Sequence, residues 1–575
     1  MRCCGFRARP RRRRGRKTST RRVASLLVTA LALLGQGCGA VRWLGGYTTA
    51  RPSGLPSALQ SAHAPAEVGA ARFMHDDFGS LNTDAMRTNA VPWKLVAAVL
   101  TLDASERAGA PVSRALLDST LASFGLLSPD SILNLPQGAA AVKLDHPLGV
   151  VSGQMKRTLP AVRLEVANLG CAACHAGVTY DREGYARRDA WLGLPNTSVD
   201  LEAYVNAVYR ASKRWIGERQ RVLGAVDTLF PGLEKGERQT LEHQVMPRAA
   251  KRIAKLEQQG DRPLPFHNGG PGFTNGAAAL KMQLHVLGDN SIESEKGYVS
   301  IPDLGARLAR TSLLADGTYS IPGQPRFAPA STGSEERLPG LARIVSFFTV
   351  PTMGLAPSLS RKAAPRVEDV LRFFATYEPP RFPGAIDPAL AEQGEALYRR
   401  RCAGCHGTVE VRDGRARLTM FPNRLVPQDS IGSDPTRWQA VSDALVGAIK
   451  SSGEASYIAA ARTGGYVAPP LSGLWATAPY LHNGSVPTLW QLMHPDQRPE
   501  RFYVGGHRLD LVHVGIMGAP DSTGTYVYPY GYRPWSTPIL VDTKRRGQGH
   551  GGHERQFASL SDDECRELIE FLKRF

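Results

Sequence analysis

The chain has 575 residues, of which 42 % are apolar and 21 % charged, a globular balance with length for roughly two to four domains. Its formal net charge of +18 looks like that of a nucleic-acid binder, but eleven of its Arg and Lys residues fall in residues 1–37, which hold no acid, and +7 remains without them. That remainder is an ordinary basic surface suited to an acidic partner; nucleic acid is not expected to be one.

Residues 1–38 read as an export signal: a basic start, an uncharged apolar run over 23–34, then small residues around Cys38. Twelve apolar residues are too few to span a bilayer, where about 20 are needed. An Arg-rich nucleic-acid arm would have no reason to run into such a stretch. "LLGQGCGA" resembles a bacterial lipoprotein cleavage site, with Gly37 before Cys38 but Gly35 where that pattern prefers Leu. Two outcomes stay open: a lipid on Cys38, which is the membrane attachment to consider, or ordinary cleavage, for example after Ala40. They place the mature protein in the periplasm, on the outer membrane as a lipoprotein, or outside the cell. No later stretch is long and apolar enough for a transmembrane helix.

Residues 39–140 read as an N-terminal extension with apolar helical segments around 95–102 and 116–126, and no legible chemistry. Next comes "NLGCAACHAG", with Cys171, Cys174 and His175, which "RRRCAGCHGT" repeats 231 residues later with Cys402, Cys405 and His406. Of the eight cysteines, Cys3 and Cys4 leave with the signal, Cys38 ends it, and Cys565 is alone and expected as a buried thiol, so none remains for a disulfide framework. Cys-x-x-Cys serves redox dithiols, zinc half-sites and covalent haem attachment. The adjacent His favours the last: two thiols add to the haem vinyl groups and the imidazole is thereby held under the iron. Two covalent haem c groups are therefore expected, on a first haem domain with insertions over 141–380 and a second, cytochrome c domain over 381–575.

Between the motifs, the stretches over 200–215 and 237–259 read as helical insertions and the Gly- and Pro-rich 263–276 as a loop near the first haem. Residues 365–380 place Val367, Val370, Leu371 and Phe374 on one helical face and stop at Pro379 and Pro380, giving a closing helix and a linker. In the second unit Asp387 caps a helix that begins with Pro388 and carries Leu390 and Leu397, while Gly394 lets another helix cross closely. The partner is the C-terminal helix, with Ser561 as cap and Leu568, Ile569, Phe571 and Leu572 as its apolar side. This looks like a class I cytochrome c unit. The fold class expected is mainly α, two cytochrome c-like haem domains with long loop and helical insertions.

The stretch "GLWATAPYLHNGSVPTLWQLM" over 473–493 resembles a motif of the bacterial di-haem cytochrome c peroxidase superfamily, which includes the methylamine-dehydrogenase maturation enzyme and the di-haem rubber oxygenases. "RFYVGGHRLDLVHVGI" and "GHGGHERQFASLSDDE" look most like the rubber-oxygenase branch. The resemblance runs from about residue 140 to the end and is weaker in the first unit. It implies one haem with an open distal side, binding dioxygen or peroxide, and one six-coordinate haem that relays electrons. Carried over, His175 holds the reactive iron and His406 the relay iron. Polyisoprene cleavage is the most specific activity it implies.

The same resemblance takes the sixth ligand of the relay iron from the loop before the last helix, at His553. His482 is the alternative and could instead stand behind the ligands beside Trp475 and Tyr480; Met493, Met517 and His513 follow. Trp475 and Trp191 are candidates for electron transfer between haems, and His267, His285 and Phe273 for the distal side of the first. Calcium between the domains is a further cofactor to consider, and a small redox protein a partner. The rival reading is an electron-transfer cytochrome with both haems six-coordinate and no catalysis of its own.

Overall fold

A two-residue strand, Tyr47–Thr48, precedes the first described helices. In α1 (Pro65–His75) the Glu67 carboxylate accepts from the backbone N–H groups of His63 and Ala64, satisfying donors that a helix start leaves open. α2 (Trp93–Ala108) covers the expected apolar segment and is buried on almost every face before Gly109, at φ +61°, ends it. The structure, a computed structural model, describes residues 47–48, 50–82, 91–137, 144–157, 162–261, 263–288, 296–332 and 335–575. The expected export signal and Cys38 lie outside the described residues.

The sequence reading of a mainly α fold does not hold. The described residues are 43 % helical and 16 % strand, and their strands form eight small sheets. The longest hairpin, β1 (Val150–Arg157) paired antiparallel with β2 (Val162–Leu169), leads straight into the first Cys-x-x-Cys turn. Val162, Leu164 and Val166 of β2 are buried in alternation, the period-2 pattern of a half-buried strand. A second hairpin, β3 (Ala176–Tyr180) with β4 (Ala186–Leu192), leaves the motif. These β-branched, alternating runs on both sides of the motif are what the helical reading overlooked.

α3 (Leu201–Trp215) starts at Asp200, whose carboxylate accepts from Ala203 N–H at 2.8 Å, and is followed by α4 (Arg219–Leu229). Both pack on α2, and with β1 and β2 they enclose a core of Trp93, Leu100, Val166, Trp215 and Val226. The second insertion is helical from Lys235 to Gln258 with a π turn over Leu241–Val245, where Pro247 deprives the ladder of a donor. α5 (Leu338–Thr352) and α6 (Ser360–Ala375) pack on each other, and α6 also on α1, around Phe73, Leu341 and Phe374. α6 begins ahead of the expected Pro365 and stops before the Pro379–Pro380 pair.

α7 (Pro388–Arg401) and α9 (Asp562–Leu572) carry the caps the sequence predicts, on Asp387 and Ser561; between them in the chain lie β5 (Thr408–Arg412), β6 (Arg415–Phe421) and α8 (Leu489–Met493). A Cβ on Gly394 would fall 1.9 Å from the carbonyl oxygen of Glu567, so the two helices touch backbone to backbone there. Cys565 is buried in that core. Tyr180 of β3 joins the same core, so the stretch leaving the first motif packs against the helices of the second.

A buried charge cluster ties α2, β2 and the helix over Lys235–Thr240. Lys94 Nζ lies 2.7 Å from Glu165 and 2.9 Å from Glu237, and His146 Nε2 lies 3.0 Å from Glu165. Burial acts to raise the Glu165 carboxyl, but hydrogen bonds from His146 and Lys94 outweigh it and hold it at about 2 against an ordinary 4.5. Its stabilisation is therefore complete above the unfolded value and lost as pH falls toward the folded one. Glu165→Gln is expected to remove about 3 kcal/mol of that dependence; urea midpoints from about pH 5 down to about pH 2 would flatten, and an unchanged slope would refute it. Gly394→Leu is expected to cost about 1–3 kcal/mol or more through overpacking, seen as a lower thermal midpoint.

Candidate functional site

Each Cys-x-x-Cys-His stretch is a single helical turn pinned by its own backbone. In the first, His175 N–H donates to the Cys171 carbonyl at 3.0 Å, Asn196 N–H to the Cys174 carbonyl at 2.8 Å, and Asn196 Nδ2 to the Ala173 carbonyl at 3.1 Å. Gly149, at φ +82°, lies under the turn, where a Cβ would fall 1.9 Å from Ala173 N. The second turn extends α7: Cys402 N–H donates to Tyr398 and His406 N–H to Cys402, at 2.8 and 2.9 Å.

The two histidines share one support. His175 Nδ1 lies 3.1 Å from the Pro302 carbonyl oxygen, and His406 Nδ1 2.9 Å from that of Pro469. A carbonyl only accepts, so Nδ1 carries the proton and Nε2 keeps its lone pair, the form a metal takes. Burial depresses His175 to about 4 and also lowers His406, which keeps both imidazoles neutral. The same burial pushes Cys171, Cys174 and Cys402 up to about 12; an uncharged thioether suits these positions better than a thiolate. All four motif cysteines are free of disulfides.

Both motifs line one cavity of about 1010 Å³, together with His482 and His553. The His553 ring centre lies 6.3 Å from that of His406, with the planes 24° apart. An imidazole nitrogen binds a metal at about 2 Å and sits about 1 Å from its own ring centre, so two imidazoles across one ion have centres roughly 6 Å apart. The pair has that separation. His553 is depressed to about 3 by burial and by the neighbouring His406 and Arg498. His482 stands elsewhere on the wall, its ring stacked on Tyr466 at 4.2 Å and its carbonyl accepting from Ser300 N–H at 2.8 Å.

Other candidates are placed apart from this pair. Trp475 is packed in the core, edge-on to Tyr180 and Phe382 at 6.5 and 5.8 Å, its indole nitrogen buried without a partner. Tyr480 reaches the wall, and its hydroxyl is likewise unpartnered. Trp191 donates to the Glu378 carbonyl, His513 pairs with Asp510, and Met493 lines the cavity. His267 is 2.9 Å from Glu202, His285 is exposed, and Phe273 packs on Tyr298. Among the described residues no group of three or more His, Cys, Asp or Glu converges to hold a metal ion such as calcium, and no helix is long and apolar enough to cross a membrane.

Sequence reasoning missed the two proline carbonyls, because a backbone role leaves only a weak mark: a proline in an extended stretch well downstream of each motif. It also missed Asp303 and Arg307. Asp303 is buried beside Pro302, where its carboxylate accepts from Tyr377 Oη at 2.6 Å, from Gly305 N–H at 2.7 Å and from the Ser472 hydroxyl. Burial raises it to about 6. Arg307 donates Nε–H to the Asp303 carbonyl and faces the cavity.

Residues 465–503 match the family described as RoxA-like, cytochrome c-like. That stretch contributes Pro469, Tyr480, His482 and α8 to the cavity wall. The match supports a relationship of that stretch to the RoxA-like haem cytochromes. Two proteins of Sinorhizobium fredii (strain NBRC 101917 / NGR234) are similar over longer stretches. Uncharacterized protein y4iM is 30 % identical over 246 residues, 36 % of this chain and 52 % of the relative. Uncharacterized protein y4iJ is 28 % identical over 262 residues, 35 % and 42 %. The chain thus spans about half the length of these curated relatives.

Proposed function

We propose that the chain is an exported di-haem c-type cytochrome acting as an oxidoreductase, with dioxygen or peroxide chemistry at the centre held by His175 and electron relay at the centre held by His406. One observation carries the inequality of the two: His406 faces a second imidazole, His553, at 6.3 Å, whereas α2, β2 and α3 present Val96, Leu169, Val205 and Val208 to the cavity. Haem, when attached, supplies the iron and its redox chemistry.

The protein's part is ligation, shape and polarity. Cys171 and Cys174, and Cys402 and Cys405, anchor the two groups; His175 and His406 present neutral Nε2 atoms because Pro302 and Pro469 hold the other nitrogen's proton. His553 closes the second centre, and His482, stacked on Tyr466, stands elsewhere on the wall. Arg307, with Arg252, Arg310 and Arg401, brings cations to a largely apolar wall, matching the haem carboxylates. Export, with or without a lipid on Cys38, accords with attachment of haem c outside the cytoplasm. The electron donor or acceptor belongs to the class of small redox proteins.

The reduced protein matured in a periplasm is expected to carry two haems per chain, one of which binds carbon monoxide in the absorption spectrum. Two haems with neither binding it would establish the electron carrier with both centres closed. His553→Ala is expected to open the second centre, doubling the carbon-monoxide-binding fraction while both haems stay attached; an unchanged low-spin signal would transfer the role to His482. Cys402→Ser with Cys405→Ser is expected to leave one covalent haem, and a chain still carrying two would refute the attachment.

A further inference from the structure

His175 and His406 are each oriented by a hydrogen bond from Nδ1 to a carbonyl. His553 has no such bond: its Nδ1 is buried without a partner. Its ring direction is left to the backbone that carries it and to Phe557, whose ring lies 6.0 Å away and nearly parallel. That backbone holds His553 at φ +70°, a left-handed conformation that costs a residue with a side chain, directly after Gly552 at φ +128°, which glycine adopts freely. Something must fix the loop from outside.

Arg498 does so. Its side chain is 2 % exposed, and its guanidinium donates to five acceptors. Nη1 reaches the His550 carbonyl at 2.6 Å and Glu554 Oε1 at 2.8 Å. Nη2 reaches the carbonyls of Gly552 at 2.9 Å and Leu492 at 2.7 Å, and Nε that of Gln491 at 3.2 Å. Three of these acceptors flank His553 on both sides. The other two belong to α8, whose last residue, Met493, lines the cavity. Glu554 closes the figure by accepting from Gly552 N–H at 2.7 Å, and His553 N–H donates to the Ile431 carbonyl at 3.1 Å.

We infer that Arg498 is the positioning residue of His553: its planar fork ties the loop over 550–554 to α8 and so aims an imidazole that lacks a hydrogen bond of its own. The inference rests on the reading of His553 as the closing ligand of the second centre. A lysine would keep the charge but not the fork, since its three donors radiate from one atom.

The test uses the full-length protein carrying both haems. In Arg498→Met the ferric protein is expected to gain about tenfold or more in affinity for added imidazole, the scale on which residues orienting a ligand act. Carbon monoxide is expected to reach both haems in the reduced state. Arg498→Lys is expected to recover only part of the closed signal. A folded Arg498→Met protein whose imidazole affinity and carbon monoxide stoichiometry match the unmodified chain would overturn the inference, even with a lower melting point, because Arg498 would then only stabilise. Should Arg498→Met fail to fold, Glu554→Gln, which removes the charge from one of the five acceptors, decides by the same two readings. A smaller gain in imidazole affinity supports the inference and no gain refutes it. His553→Ala is measured in parallel: if it opens neither centre, the ligand reading fails on its own account.

Discussion

The bond between an imidazole N–H and a proline carbonyl organises this molecule. It occurs twice, at Pro302 and Pro469, and each time it decides which ring nitrogen of the motif histidine keeps its lone pair. Proline's fixed φ makes its own carbonyl a stiff acceptor, and such a bond is worth only about 1 kcal/mol in stability. Its weight is in direction. The hairpin β1–β2, helix α7 and the long insertions can be understood as means of bringing two short turns and two distant carbonyls onto one cavity wall.

That wall is permissive toward neutral groups and hostile to charged ones. Burial depresses His175, His482 and His553 and raises the thiols of Cys171, Cys174 and Cys402, so that these atoms are held as lone pairs and S–H groups rather than ions. Arg252, Arg307, Arg310 and Arg401 are the exceptions on the wall; burial brings Arg307 down only to about 10 and Arg310 to about 9, so both are still cations. A cavity of this kind discriminates by charge before any specific contact is made, favouring an apolar ring system with carboxylates at one edge over a free metal ion.

Much of this was legible in the sequence, and for physical reasons. A Cys-x-x-Cys-His turn has little conformational freedom; Asp387 and Ser561 cap because their side chains can reach orphan N–H groups; Gly394 marks a backbone crossing that no other residue could occupy. The loop before the last helix pointed to His553, and the structure brings that ring to His406. What escaped is equally instructive. The strands around the first motif are short, and their period-2 alternation, Val162, Leu164 and Val166, is a weaker mark than the helical periodicity elsewhere. Pro302 and Pro469 act through main-chain oxygen, which a side-chain alphabet does not record. Arg498 reads as one more surface cation among many, and only its buried position reveals five acceptors around it.

Asp303 gives the two centres a common mechanical reference. Its carboxylate follows directly on the carbonyl that supports His175, yet it accepts from Ser472, three residues beyond the carbonyl that supports His406. The approach is close enough that a Cβ on Gly305 would fall 1.9 Å from the Ser472 hydroxyl oxygen. The spacing of the two imidazoles is thereby set through a short path of covalent links and three hydrogen bonds, one at each imidazole and one from Ser472 to Asp303, rather than through the hundreds of residues that separate them in the chain. Tunnelling between two sites falls off steeply with distance, so under the proposed relay this small buried strut would work as a gauge block, keeping the gap between the two centres constant while the insertions around it vary.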